Sequence, residues 1–162
     1  MKNSIQLPEN NQSIILETGD IITLKADNGK YLSRVEYVGV KQAIEATKDS
    51  VDIYCKFEVL VHKDLKISLK ADNKAWLSRI TRGSDEEPIE AIKMDSSDIT
   101  TQFKVMQLSN TNGEFFIALQ ADNFRWISRI DRQTERGKQT IEAARVKTGI
   151  DVHCMFKIEK LR

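Results

Sequence analysis

The chain has very little of what covalent or metal chemistry needs. Its 162 residues include two cysteines, two histidines and two tryptophans. His62 and His153 stand in unmatched contexts, without metal-ligand spacing to either cysteine. No Gly-rich phosphate loop and no nucleophile elbow occurs. Charge of one sign is lacking too: 25 Lys and Arg against 24 Asp and Glu leave a formal +1. That balance gives no general reason to expect nucleic acid or an anionic membrane as partner. There is no run of 18 apolar residues, so no membrane span is expected. The opening Met1-Lys2-Asn3-Ser4 lacks the apolar core of a signal peptide, which makes a cytoplasmic location the default; a mature secreted chain with a restored Met would read the same way. The expectation is a non-catalytic protein without metal or cofactor, because function has to be argued from a site and no such site is legible. Its length fits one domain, 1–162, able to bury roughly 70% of the surface exposed when unfolded, so no disulfide staple is required.

What the chain does have is an internal repeat. Leu24-Lys25-Ala26-Asp27-Asn28-Gly29-Lys30-Tyr31-Leu32-Ser33-Arg34 returns as Leu69-Lys70-Ala71-Asp72-Asn73-Lys74-Ala75-Trp76-Leu77-Ser78-Arg79. It returns again as Leu119-Gln120-Ala121-Asp122-Asn123-Phe124-Arg125-Trp126-Ile127-Ser128-Arg129. Each copy is followed by Ile-Glu-Ala, beginning at Ile44, Ile89 and Ile141, and then by Phe57, Phe103 or Phe156. The offsets are 45 residues from Asp27 to Asp72 and 50 from Asp72 to Asp122, a period at which repetition decides the fold. The repeats run over about 14–60, 61–107 and 108–160.

Apolar residues alternate with period two within each copy (Ile22, Leu24, Ala26 and their counterparts), which is strand periodicity. Asp-Asn marks a turn, strengthened by Gly29 in the first copy alone. An aromatic-aliphatic strand ending in Ser-Arg follows, then a loop, then a strand opened by Ile-Glu-Ala. The fourth strand is read as Ile53-Cys55-Phe57-Val59, Ile99-Thr101-Phe103-Val105 and Val152-Cys154-Phe156-Ile158. Residues 1–12 read as a loose arm. Four strands in three repeats make twelve short strands with no convincing helix. A three-bladed propeller would leave its centre poorly filled, whereas a closed, capped barrel fills its own interior. The expected fold is therefore an all-β β-trefoil, with Leu24/Leu69/Leu119, Leu32/Leu77/Ile127 and Phe57/Phe103/Phe156 as rings about a pseudo-threefold axis. Cys55 and Cys154 then point inward as small hydrophobes, and could pair only if equivalent positions approach closely.

The Leu-Lys-Ala-Asp-Asn-Gly-Lys-Tyr-Leu-Ser-Arg run resembles the repeat of the fascin-like and agglutinin (amaranthin-like) β-trefoils, from about Ile14 to Ile158. The resemblance implies a trefoil whose partner is a glycan or, as in the actin bundlers, a protein. The Gln-x-Trp signature of ricin-type lectins is absent, so their galactose sites are not carried over. The disulfides usual in Kunitz-type inhibitors have no counterpart either.

The repeated polar residues are the candidate site, and each has two readings. Asp27-Asn28, Asp72-Asn73 and Asp122-Asn123 are either turn residues or sugar ligands that accept from and donate to vicinal hydroxyls. Trp76 or Trp126, if exposed, would cover a pyranose face; otherwise they are core. Arg34, Arg79 and Arg129 are expected to meet Glu45, Glu90 and Glu142 of their own hairpins as structural ion pairs. The unlike loops 36–40, 82–87 and 131–136 would carry specificity. An actin site would need a basic face, for which Lys30, Lys41, Lys74, Arg82, Arg125, Arg132, Arg136 and Lys138 are available, and bundling would need a second site or a homodimer.

Overall fold

A computed structural model of the protein describes residues 4–7, 14–37, 40–83, 86–111, 113–134, 137–145 and 149–161. The period-two segments form strands. Repeat one gives β3 (Ile21–Lys25), β4 (Tyr31–Tyr37), β5 (Val40–Lys48) and β6 (Phe57–Val61), preceded by β1 (Ser4–Leu7) and β2 (Ile14–Glu17). Repeat two gives β7 (Lys66–Lys70), β8 (Trp76–Arg79), β9 (Ile89–Lys93) and β10 (Phe103–Thr111). Repeat three gives β11 (Glu114–Gln120), β12 (Trp126–Thr134), β13 (Gly137–Arg145) and β14 (Phe156–Lys160).

The first and fourth strands of each repeat close a barrel. Antiparallel pairing runs from β3 to β6, β7, β10, β11 and β14, and returns from β14 to β3. Closure leaves no open sheet edge within the ring. The hairpins β4–β5, β8–β9 and β12–β13 meet one another at one end, through Ala43 opposite Glu90, Glu45 opposite Thr140, and Pro88 bridged to Glu142. A barrel capped by three hairpins is the β-trefoil. All nine residues of the three expected rings are buried in one continuous core.

Three expectations change. Within the arm, residues 4–7 form β1 and pair with β2, whose Ile14 and Leu16 join the core. The fourth strands begin at Phe57, Phe103 and Phe156, because a 3-10 turn that ends two residues earlier stands before them in every repeat, Ile53–Cys55, Ile99–Thr101 and Val152–Cys154. Asp52, Asp98 and Asp151 cause this. Their carboxylates accept from the backbone N–H two residues on, at 3.0, 2.9 and 3.0 Å, a local bond that outcompetes the extended pattern. Ile53, Ile99 and Val152 are thereby turned outward to 59%, 65% and 54% exposure. Cys55 and Cys154 remain buried as thiols, not joined in a disulfide, while Thr101 closes the equivalent turn with its hydroxyl on Asp98 O at 2.7 Å. Finally, much of the sequence between Ser-Arg and Ile-Glu-Ala is strand in repeats one and three. The loop tips 38–39, 84–85 and 135–136 lie outside the described residues.

Candidate functional site

The repeated turn is the same object three times. In the first copy Ala26 N–H donates to Lys30 O (2.9 Å) and Gly29 N–H to Ala26 O (3.0 Å), with matching bonds in the other two. Gly29, Lys74 and Phe124 hold φ of 78°, 71° and 64°. This is a type I turn closed by one left-handed residue, so the left-handed position is the residue after Asp-Asn. The Asn side chain staples the turn. Asn28 Oδ1 accepts from Lys30 N–H and its Nδ2 donates to Ala46 O, as Asn73 does with Ala75 and Ala91, and Asn123 with Arg125 and Ala143. Those alanines close the Ile-Glu-Ala motif.

The aspartates bind the neighbouring repeat. Arg34 Nε and Nη2 donate to both oxygens of Asp72, each at 2.7 Å. Arg79 does the same to Asp122 at 2.6 and 2.8 Å, and Arg129 to Asp27 at 2.7 and 2.9 Å. Repeat one thus grips repeat two, two grips three, and three grips one. The remaining Nη1 donates to Gln42, Glu87 or Gln139 of its own hairpin. Hydrogen bonding from Arg129, reinforced by its charge and by His153, holds the Asp27 carboxyl below the usual carboxylate range although burial opposes it. The three guanidiniums are pushed up, chiefly by the same bonds.

This pairing corrects the expected partners. Ser33, Ser78 and Ser128 stand opposite Glu45, Glu90 and Glu142, whereas Arg34, Arg79 and Arg129 stand opposite the isoleucines one residue earlier. Adjacent residues project to opposite faces of a strand, so each Arg leaves its hairpin on the face away from its Glu. In repeats two and three the buried glutamate is held by a second arginine three positions on. Arg82 reaches Glu90 at 2.9 and 2.6 Å, and Arg132 reaches Glu142 at 2.5 and 2.7 Å.

The tryptophans are not open platforms. Trp126 is buried against Ala118 and Cys154, and Trp76 is half-buried with the Lys70 ammonium over its ring. The most exposed aromatic among the described residues is Phe124, at 66%, a residue that sequence reasoning passed over although repeat one has Gly at that place.

The aspartate of each Arg–Asp pair lines one of three related clefts, each between the 3-10 turn of one repeat and the Asp-Asn turn of the next. The first, about 560 Å³, is lined by Ile53, Lys56, Glu58, Lys70 and Lys74 beside Asp72. The second, about 440 Å³, has Ile99, Gln102, Lys104, Gln120 and Phe124 beside Asp122, with Asp64 and Lys66 at its other side. The third, about 300 Å³, has Val152, Met155, Lys157 and Lys25 beside Asp27. The sequence-named aspartates therefore line clefts, with both oxygens turned into an arginine. Among the described residues no group of three or more His, Cys, Asp or Glu is placed to hold a metal ion, and no helix is long and apolar enough to cross a membrane.

Comparison with solved structures places the chain among the β-trefoils. It is similar to the designed threefold-symmetric protein ThreeFoil, with a TM-score of 0.65, 12% identity, and coverage of 87% of this chain and 99% of that one. It is similar also to the BEL β-trefoil, with a TM-score of 0.65, 14% identity, and coverage of 97% and 100%. A third likeness is to the Polyporus squamosus lectin, solved bound to a human-type influenza-binding epitope, with a TM-score of 0.65, 7% identity, and coverage of 90% of this chain and 50% of the lectin. At these identities the likeness is one of fold. A scan against family profiles and a search of curated proteins each find no match.

Proposed function

We propose that the protein is a non-catalytic, lectin-like carbohydrate-binding module whose sugar sites are the inter-repeat clefts. The observation that carries this is the second cleft, where the exposed Phe124 stands beside the amides of Gln102 and Gln120, each of which spends one N–H on a backbone carbonyl, Ser96 O or Phe124 O, and keeps its second N–H for a ligand. An apolar face next to groups that both donate and accept suits a pyranose, which has an apolar face and a rim of hydroxyls. A β-trefoil lectin among the structural neighbours supports the reading. Asp27, Asp72 and Asp122, with Asn28, Asn73 and Asn123, then act as frame, and Phe124 with the glutamines as ligands. Related clefts give avidity to multivalent glycans.

A second reading is a protein-binding module of the fascin-like kind, with actin as the named partner. It is favoured by Lys56 and Lys74, exposed lysines at the first cleft. It is weakened by ion pairing across the expected basic face, since Lys30 holds Asp49, Arg82 holds Glu90 and Arg132 holds Glu142. A glycan array with the purified chain, beside sedimentation with filamentous actin, separates the two. Saturable binding competed by free sugar and lost in Phe124→Gly is the expected result. Actin co-sedimentation with a blank array would replace the first reading with the second.

A further inference from the structure

The three clefts share a frame but differ along one row of residues. Each floor is a cross-strand row: Ile21, Glu58 and Lys70 in the first, Lys66, Lys104 and Gln120 in the second, Phe116, Lys157 and Lys25 in the third. In the first row Lys70 lies 3.8 Å from Glu58. In the third Lys157, which stands directly opposite Lys25, lies 3.5 Å from Glu114, and Lys25 sits over the Tyr31 ring at 4.8 Å, so that pair is compensated. The second row sets Lys104 directly opposite Lys66 on paired antiparallel strands. Side chains so placed share a face with Cβ atoms about 5 Å apart, and like charges there repel. Neither ammonium has a carboxylate within salt-bridge distance among the described residues, although Asp64 is part of the same lining. The uncompensated charge is felt nearby: burial and Lys66 together lower the pKa of His62.

A second cost sits on the same cleft. Phe124 is a bulky residue at φ 64°, a conformation that disfavours L side chains with a Cβ and is native to glycine, as repeat one shows with Gly29. Its ring remains 66% exposed, so packing does not repay the strain. Backbone strain and a like-charge pair on one 440 Å³ cleft are what a binding site retains at the expense of stability.

From the Lys66–Lys104 pair opposite Phe124 we infer that the second cleft takes a carboxylated sugar, of the uronic or sialic acid class, with its carboxylate between the two ammoniums and its apolar ring face on Phe124. This rests on the glycan reading above and narrows it. The carboxylate relieves the Lys–Lys repulsion, and Gln102 and Gln120 meet hydroxyls with the amide groups they do not spend on Ser96 O and Phe124 O.

The test is calorimetric titration of the intact chain with a glucuronic-acid-containing tetrasaccharide and with sialyllactose. Chitotetraose and lactose serve as neutral counterparts, and sodium acetate as the bare carboxylate. Variants are Lys66→Gln, Lys104→Glu and Phe124→Gly. Acidic sugars should bind more tightly than neutral ones, with affinity falling as salt rises through about 0.1 M, where the screening length is about 10 Å. Lys66→Gln should weaken them about five- to tenfold, as expected for one partly exposed charge at contact distance. Lys104→Glu should abolish the preference for acid while raising the melting temperature, because it converts a repulsive cross-strand pair into an attractive one. Equal binding of acidic and neutral sugars, or an unchanged preference in Lys104→Glu, would overturn the inference and leave the glycan reading standing. Acetate competing as well as the sugars would make the cleft a plain anion site and also overturn it. Silence from every sugar would remove both.

Discussion

Removing one carboxylate from the inter-repeat ring should cost far more than an ordinary surface ion pair. Arg79 and Asp122 are joined by two hydrogen bonds of 2.6 and 2.8 Å, with side chains only 17% and 12% exposed. Exposed pairs contribute about 0–1 kcal/mol, whereas breaking a well-buried one costs about 3–5 kcal/mol. This pair lies between, nearer the buried limit, so Asp122→Ala should cost about 2–4 kcal/mol. At roughly 2–4 °C per kcal/mol for a chain of this size, the melting temperature should drop by about 4–16 °C. Arg79→Ala should cost at least as much, because it strands Asp122 and Glu87, both of which that guanidinium serves. Arg79→Lys should fail to rescue, since an ammonium cannot reproduce the planar fork. Urea unfolding of the two single mutants and the double mutant gives the coupling energy, expected at about 1.5–3 kcal/mol. A parallel cycle on Arg82 and Glu90 should show coupling, and one on Arg79 and Glu90 almost none. A coupling for Arg79–Asp122 below about 0.5 kcal/mol, the usual additivity error, would refute the claim that these bonds tie the repeats together.

Two further outcomes follow from the same geometry. The Asp27 carboxyl is held below its ordinary 3.8 by Arg129 and His153. Its contribution to stability is therefore complete above the unfolded value and is lost as pH falls through the lower folded value. Asp27→Asn should thus cost most at neutral pH, and its deficit relative to wild type should shrink in acid, as read from urea midpoints between about pH 6 and pH 2. Lys74→Gly should stabilise: Lys74 sits at φ 71°, and relief of about 1–2 kcal/mol of left-handed strain exceeds the roughly 0.5–1 kcal/mol of extra chain entropy that glycine brings. A melting temperature equal to or below wild type would show that the turn carries no such strain.

The fold was legible because each repeat writes its alternation, turn and strand-end Phe in the same places, and threefold repetition of short strands has few closures. The 3-10 turns were also written, in Asp52, Asp98 and Asp151, each three residues before an inward Cys or Thr. The apolar alternation of Ile53, Cys55 and Phe57 concealed them, since a capping bond is a local competitor that periodicity does not weigh. The ion pairs were legible in their residue types and not in their partners. Nothing local to Arg34 says that its carboxylate lies 38 positions away on the next repeat. The one-residue offset between Ser33 and Arg34 does say that Arg and the hairpin glutamate leave on opposite faces, once the register is known. Arg82 and Arg132 were a further signal, each at the same distance beyond its Ser-Arg, which repeat one lacks at Tyr37.

Reading the repeats against one another separates structure from specificity more sharply than reading any one of them. At three places where all three agree, the residue is engaged within the frame: Asp with the neighbouring Arg, Asn with the turn and the Ile-Glu-Ala alanine, Phe with the core. A side chain engaged in this way has little left to offer a ligand. Where they disagree, the frame holds the position and lets the side chain vary, as at Gly29, Lys74 and Phe124, or along the floor rows Ile-Glu-Lys, Lys-Lys-Gln and Phe-Lys-Lys. The threefold symmetry thus supplies three mounts of one geometry, and the second departs from the others by accepting both a strained aromatic and an uncompensated charge pair. Neither departure stabilises the barrel, so the cleft between repeats two and three is where binding chemistry has the strongest physical claim.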